Sequence, residues 1–183
     1  MKELKILMLI IFFPLIALAQ SATTEALQKQ YSDAFSLYFY KNTLRMLNQM
    51  DSPEFDELIK DIEKMKFLMI DKSKMKFATA DYKKLLKEYS AESYEEIMTT
   101  RYQGKNFDLY LKDKKGSTLG TVMLVNDSTS LYVLDILGTI DVSKATQLFS
   151  TLDESSDIGK RIKSFLDSDD SSDRKREFKF HNP

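Results

Sequence analysis

The chain has 183 residues, a formal net charge of −1, 43% hydrophobic and 11% aromatic residues, and no Cys. These totals exclude disulfide staples, thiolate nucleophiles and thiolate metal sites, and give no global electrostatic pull toward nucleic acid or acidic membranes. Stability has to come from packing in a core of ordinary composition.

The N-terminus reads as an export signal rather than as part of the fold. Lys2 and Lys5 form a positive start, Ile6 to Ala19 is apolar with a break at Pro14, and Ala17-Leu18-Ala19 is a small-x-small cleavage site. The apolar run is short for a membrane span, which needs roughly 20 residues. Cleavage after Ala19 makes Gln20 the mature terminus and sends the protein to the periplasm or the extracellular space. With no Cys there is no lipobox anchor. One domain is expected over 20–152, followed by a polar, charged tail over 153–183.

Ala22 to Gln30 predicts a short helix with Ala26, Leu27 and Tyr31 on one face. Ala34 to Tyr40 alternates as a strand, with Phe35, Leu37 and Phe39 on its apolar side. Thr43 to Met50 reads as a helix. Ser52 and Pro53 then predict the cap and first turn of another, with Phe55, Leu58, Ile59 and Ile62 as its core stripe. Lys66 to Ile70 reads as a short buried strand, and Met75 to Tyr89 as one long helix with Ala78, Tyr82, Leu85 and Tyr89 in register.

Glu95 to Tyr102, Phe107 to Leu111, Leu119 to Val125 and Leu131 to Leu137 predict four strands joined by short polar turns, an antiparallel meander. Both faces of Leu119–Val125 are apolar or small, which places it centrally in its sheet. Asp141 is placed to cap a final helix carrying Val142, Ala145, Leu148, Phe149 and Leu152. The first two strands are compatible with a parallel pair joined by a right-handed crossover. The expected class is α+β: a mostly antiparallel sheet with helices packed on one face. The alternative is two small lobes divided near residue 90.

Catalytic chemistry is thin. The only His is His181, in the tail, so a Ser-His-Asp triad, His acid–base work and a His zinc site in the core are not expected. No glycine-rich phosphate loop occurs. Glu95 and Glu96 are neighbours on a strand and point to opposite faces, so they cannot pair. Asp135 stands on a strongly apolar strand and reads two ways. It is either a buried acid with a raised pKa or, the preferred reading, a solvent-facing position or a charge that discourages edge pairing. Tyr38 and Tyr40, beside Lys41, read either as an exposed aromatic surface for a partner or a glycan or, preferred, as residues packed under a helix. Asp167 to Asp173 resembles the start of a calcium loop. Ser172 stands where that loop needs Gly and Phe178 where it needs Glu, so a solvated acidic tail is expected. No catalytic, cofactor-binding or metal residues are assigned, and no cofactor. Asp135, Tyr38 and Tyr40 are the candidates for a functional surface.

The signal end Ala17-Leu18-Ala19-Gln20, the β-α-α opening, the segment LIKDIEKMKFLMI and the closing run LYVLDILGTIDVSKATQL together resemble an exported family called domain of unknown function 4252. The resemblance covers Tyr31 to Leu152 and is most specific over Leu131 to Leu148. It implies a shared fold, an origin in Bacteroidetes bacteria and gene neighbourhoods with extracytoplasmic sigma-factor systems. It implies no activity and no site residues. The expected role is a non-enzymatic envelope binding or signalling protein whose partner is a protein or envelope component. The alternatives are a carboxylate-dependent hydrolase and a carrier with an apolar cavity for a lipid or peptide.

Overall fold

The computed structural model describes residues 20–46, 48, 52–102, 104–140 and 144. In chain order it contains α1 (Ala22–Gln30), β1 (Phe35–Tyr40), α2 (Lys41–Met46), α3 (Pro53–Ile59), β2 (Ile62–Asp71) and α4 (Lys72–Met75). Then follow α5 (Thr79–Ala91), β3 (Glu95–Tyr102), β4 (Lys105–Lys114), β5 (Ser117–Asn126) and β6 (Ser130–Gly138). The leader, the Asp141 cap with its helix stripe, the calcium-like run and His181 all lie outside the described residues.

Local chemistry sets most of the boundaries. Ser52 Oγ accepts from the Phe55 N–H at 3.3 Å, and Pro53 fills the first turn of α3. Asn48 clasps Ser52 from both sides, donating to its carbonyl at 2.9 Å and accepting its N–H at 2.8 Å. Between β5 and β6, Asp127 Oδ1 accepts from the N–H groups of Thr129 and Ser130, each at 2.7 Å, so the side chain builds the turn.

Two helix expectations are corrected. The long helix expected from Met75 starts only at Thr79: Met75 closes the short α4, which Lys76 ends by taking a left-handed conformation (φ 55°). Asp81 then accepts the Ala78 N–H at 2.7 Å and starts α5 afresh. Ile62 belongs not to α3 but to β2, which is ten residues long rather than the five expected. On α1 the inward face is Thr23, Thr24 and Leu27, and Ala26 points outward.

The six strands form one sheet in the order β1-β2-β6-β5-β4-β3, and all its pairings are antiparallel. The meander and the central place of β5 are as expected. The parallel first pair is not: β1 and β2 run antiparallel, Phe35 opposite Met69 and Tyr40 opposite Lys64. Two short helices separate them, and these return the chain alongside β1 in the opposite sense.

The class is α+β, but the helices divide between the two faces. On one, Leu27 of α1 and Tyr82, Leu85 and Tyr89 of α5 pack against Leu68, Ile70, Val122, Leu124, Leu131 and Val133. On the other, Leu44 of α2 and Leu58 and Ile59 of α3 pack with Met65, Phe67, Met123, Val125, Leu134 and Ile136. Both faces of the central strands are apolar, so both need cover.

Candidate functional site

The face beneath α1 and α5 is apolar except for a polar seam. Side chains alternate along each strand, and the register places Tyr38 opposite Lys66 and Lys66 opposite Asp135. Lys66 and Asp135 are both 0% exposed, on the second and third strands of the sheet. Asp135 therefore neither faces solvent nor guards an edge, and the preferred sequence reading is overturned. Burial on a central strand requires partners, and α1 supplies most of them.

Lys66 Nζ donates to Glu25 Oε1 on α1 and lies 4.7 Å above the ring centre of Tyr38. Asp135 Oδ2 accepts the Ser21 N–H at 3.1 Å, and its carbonyl accepts from Gln20 Nε2 at 3.3 Å. Its other oxygen, Oδ1, makes no hydrogen bond of good geometry, although the Thr24 hydroxyl is close enough to favour the charged form. Thr24 itself pairs with the buried Tyr89 hydroxyl at 2.9 Å.

Glu92, just past α5, holds the same helix start. It accepts from Ser21 Oγ at 2.7 Å, from the Ala22 N–H at 2.9 Å and from the Thr23 N–H at 3.0 Å. Unpaired N–H groups at a helix N-terminus favour an anion there. Burial pushes the Glu92 carboxyl up, but these hydrogen bonds outweigh it and hold the group below the usual range.

Asp135 goes the other way. Burial lifts its carboxyl to about 7, against the pull of Thr24, Ser21 and Lys66 and with the help of the Glu92 charge. The Tyr89 and Tyr94 hydroxyls are also raised, first by burial and then by the Asp135 charge. While Gln20 remains joined to Ala19, the folded state between pH 4 and 7 keeps a proton that the unfolded chain has released. This contribution to stability is then complete below about pH 4 and is lost as pH rises toward 7, by on the order of 4 kcal/mol. Urea midpoints at pH 5 and pH 8 should fall for such a chain. The fall should be much smaller for Asp135→Asn.

A second polar group lies on the same face at the far edge of the sheet. Ile97 is the extra residue of a bulge between Glu96 and Met98, and the bulge turns Glu96 and Thr99 to one side. The Thr99 hydroxyl then lies 2.9 Å from Glu96 Oε1 and 2.6 Å from Asp108 Oδ1. Tyr82 donates to Asp108, and Tyr110 donates to Glu96 at 3.1 Å. Burial first, then these carboxylates, raise both tyrosine hydroxyls. The sequence reading found no pair of acids on one face, whereas here two of them share one hydroxyl. The signal was available only in the odd spacing of Glu96 and Thr99, which a regular strand would place on opposite faces.

An open cleft of about 730 Å³ borders this group, lined by Lys72, Phe77, Tyr82, Arg101, Asn106 and Asp127 among others. Lys72 donates to Asn126 Oδ1 at 2.5 Å and to the Asp127 carbonyl, and burial lowers its pKa. The lining is largely polar. The apolar recess expected for a lipid carrier does not describe this cleft. Among the described residues no group of three His, Cys, Asp or Glu could hold a metal ion.

Tyr38 and Tyr40 sit on the edge strand β1, 43% and 55% exposed, so neither packs fully under a helix as preferred from the sequence. Tyr38 also donates to Gln28 on α1, and Lys64 lies 5.3 Å from the Tyr40 ring centre. The structure thus gathers Tyr38 and Asp135 around Lys66, which sequence reasoning passed over as part of an apolar run.

Among the described residues no helix is long and apolar enough to cross a membrane. Neither a curated protein nor a solved structure matches the chain. Residues 29–148 match the family model described as a domain of unknown function, DUF4252, and that span runs from the end of α1 past β6. The chain belongs to the DUF4252 family.

Proposed function

We propose that this is an exported, non-enzymatic envelope protein that binds an extended protein segment along the edge of β1 left unpaired among the described residues. The observation that carries this reading is the pair Tyr38 and Tyr40, exposed on an edge strand and backed by the cations of Lys66 and Lys64. An edge strand offers unpaired backbone donors and acceptors to an incoming strand, and tyrosine supplies rigid contact area with a polar tip. Lys41 and Lys64 nearby favour acidic residues in the partner. Export rests on the leader pattern that ends at Ala19.

The hydrolase reading draws on Glu96 and Asp108. Their oxygens already serve Thr99, Tyr82 and Tyr110, and Asp108 is buried. Such an arrangement fixes β3 and β4 against α5, and binding is the reading better supported.

The test is crosslinking of purified protein to acidic and neutral extended peptides, with wild type beside Tyr38→Ala/Tyr40→Ala. The expected result is preferential crosslinking of the acidic peptide at β1 and at least a tenfold loss in the double variant, a cost of about 1.4 kcal/mol or more. Equal labelling of both proteins would reject the β1 edge as the binding surface.

A further inference from the structure

The start of the described chain is unusual. Gln20 and Ser21 are buried, at 9% and 0% exposure, although they directly follow the expected cleavage point. A segment next to a removable leader is ordinarily loose and solvated. Here it is held by two carboxylates from separate parts of the fold, Asp135 on β6 and Glu92 after α5.

The charges around this point do not balance. Asp135 is faced by Lys66 from β2, by Thr24 from α1, by Tyr89 from α5, and by Tyr94 and Glu92 from the segment after α5. Lys66 is shared with Glu25. Glu92 also has the Lys112 ammonium at 3.7 Å, so three carboxylates face two ammoniums, and among the described residues the fully buried Oδ1 of Asp135 has no hydrogen bond. A cation with a free N–H donor is what the position lacks.

We propose that leader removal supplies it: the α-ammonium freed at Gln20 pairs with Asp135 and locks α1 onto the sheet. The inference rests on the export reading. Cleavage is a hydrolysis by a leader peptidase. Water's oxygen bonds to the Ala19 carbonyl carbon, the C–N bond breaks, and the Gln20 nitrogen leaves as an amine that takes up a proton near neutral pH. Reach is set by covalent geometry. Ser21 N lies 3.1 Å from Asp135 Oδ2. Consecutive backbone nitrogens are at most about 3.7 Å apart, so the Gln20 nitrogen is within about 7 Å of the carboxylate before any adjustment. In amide linkage that nitrogen carries one proton and no charge. As an ammonium it has three donors and full charge in a site shielded from water, where a charge-assisted bond is strongest. The leader-bearing chain then has a looser α1 than the mature one.

The experiment compares the chain beginning at Gln20 with one that keeps Ala19, each as wild type and as Asp135→Asn. The mature wild type should melt higher by about 4 °C, and Asp135→Asn should erase the difference. As a check independent of that variant's folding, the Gln20 α-amine in wild type should lose its proton only well above the ordinary range of about 7.7–8.0. Equal melting points, an ordinary amine pKa, or exported protein with Gln20 cyclised to pyroglutamate would overturn the lock alone. Exported protein that begins at any residue other than Gln20 would overturn the cleavage point and the lock with it, and exported protein that keeps Met1 would overturn the leader reading on which both rest.

Discussion

Replacing Lys66 by Ala should destabilise the protein by roughly 3–5 kcal/mol, the range for removing one member of a buried charge pair. The ammonium is fully buried, and its stem passes between β1 and β6 beneath α1. Removing it empties that space and leaves Asp135 facing Glu92 without the cation that favours its charged form. Glu25 is less affected, because its side chain is 43% exposed and can turn to water. Lys66→Met keeps the stem volume and should lose less. Combined with Asp135→Asn it should cost less than the two single changes added, since the charge left without its partner causes much of each loss. Chemical unfolding of wild type, the three single variants and the double variant at pH 7.5 measures this. Additive losses would mean that Lys66 and Asp135 do not feel each other.

The second large effect is expected at Gly138, the last residue of β6. Its φ is +114°, and a Cβ there would lie 2.3 Å from the Asp61 carbonyl oxygen and 3.1 Å from the Glu63 nitrogen. That carbonyl already accepts the Thr139 N–H at 3.1 Å, and Gly138 pairs with Ile62 where β2 changes register. Gly138→Ala thus places a methyl group against backbone that has no rotamer to yield. The expected loss is more than about 3 kcal/mol, in the class of strain at a special backbone position. Gly116→Ala is the control. Its φ is +78° with nothing within 4 Å, so only the left-handed conformation is penalised, by about 1–2 kcal/mol. Similar melting points for the two variants would show that the contact at Asp61 is unimportant.

Both effects concern positions whose meaning was half visible in the sequence. Gly138 directly follows the strand expected over Leu131 to Leu137, but its closeness to Asp61 joins residues 77 positions apart in the chain. Lys66 read as part of a buried apolar run. A lone cation in such a run and a lone Asp in another were each visible. Their adjacency follows from β2 pairing with β6 across the whole intervening meander. Tyr38 and Tyr40 were set in alternation with Phe35, Leu37 and Phe39. The faces were right, but exposure depended on β1 being an edge strand, a fact of strand order rather than of pattern.

Glu96 shows a different limit. Period-two alternation assigns its side chain correctly relative to Glu95, and then fails across the bulge at Ile97, beyond which Thr99 returns to the same face. No composition signal marks that insertion. The break between α4 and α5 is similar. Helical spacing runs on through Lys76, but Asp71 and Asp81 each offer a better local partner to a backbone N–H, and the chain takes two short helices.

The sequence by itself determined the elements of this protein: the four-strand meander, the capped starts and polar turns, and the doubly apolar central strand. These depend on neighbours a few residues away, through side-chain alternation and hydrogen bonds to nearby backbone. Only the tertiary structure decided the antiparallel entry of β1, the division of helices between two faces, and the meeting of Lys66, Asp135 and the start of α1. Those are pairings between distant segments. Several arrangements satisfy the same hydrophobic pattern, and the choice among them falls to how a few buried charges find partners.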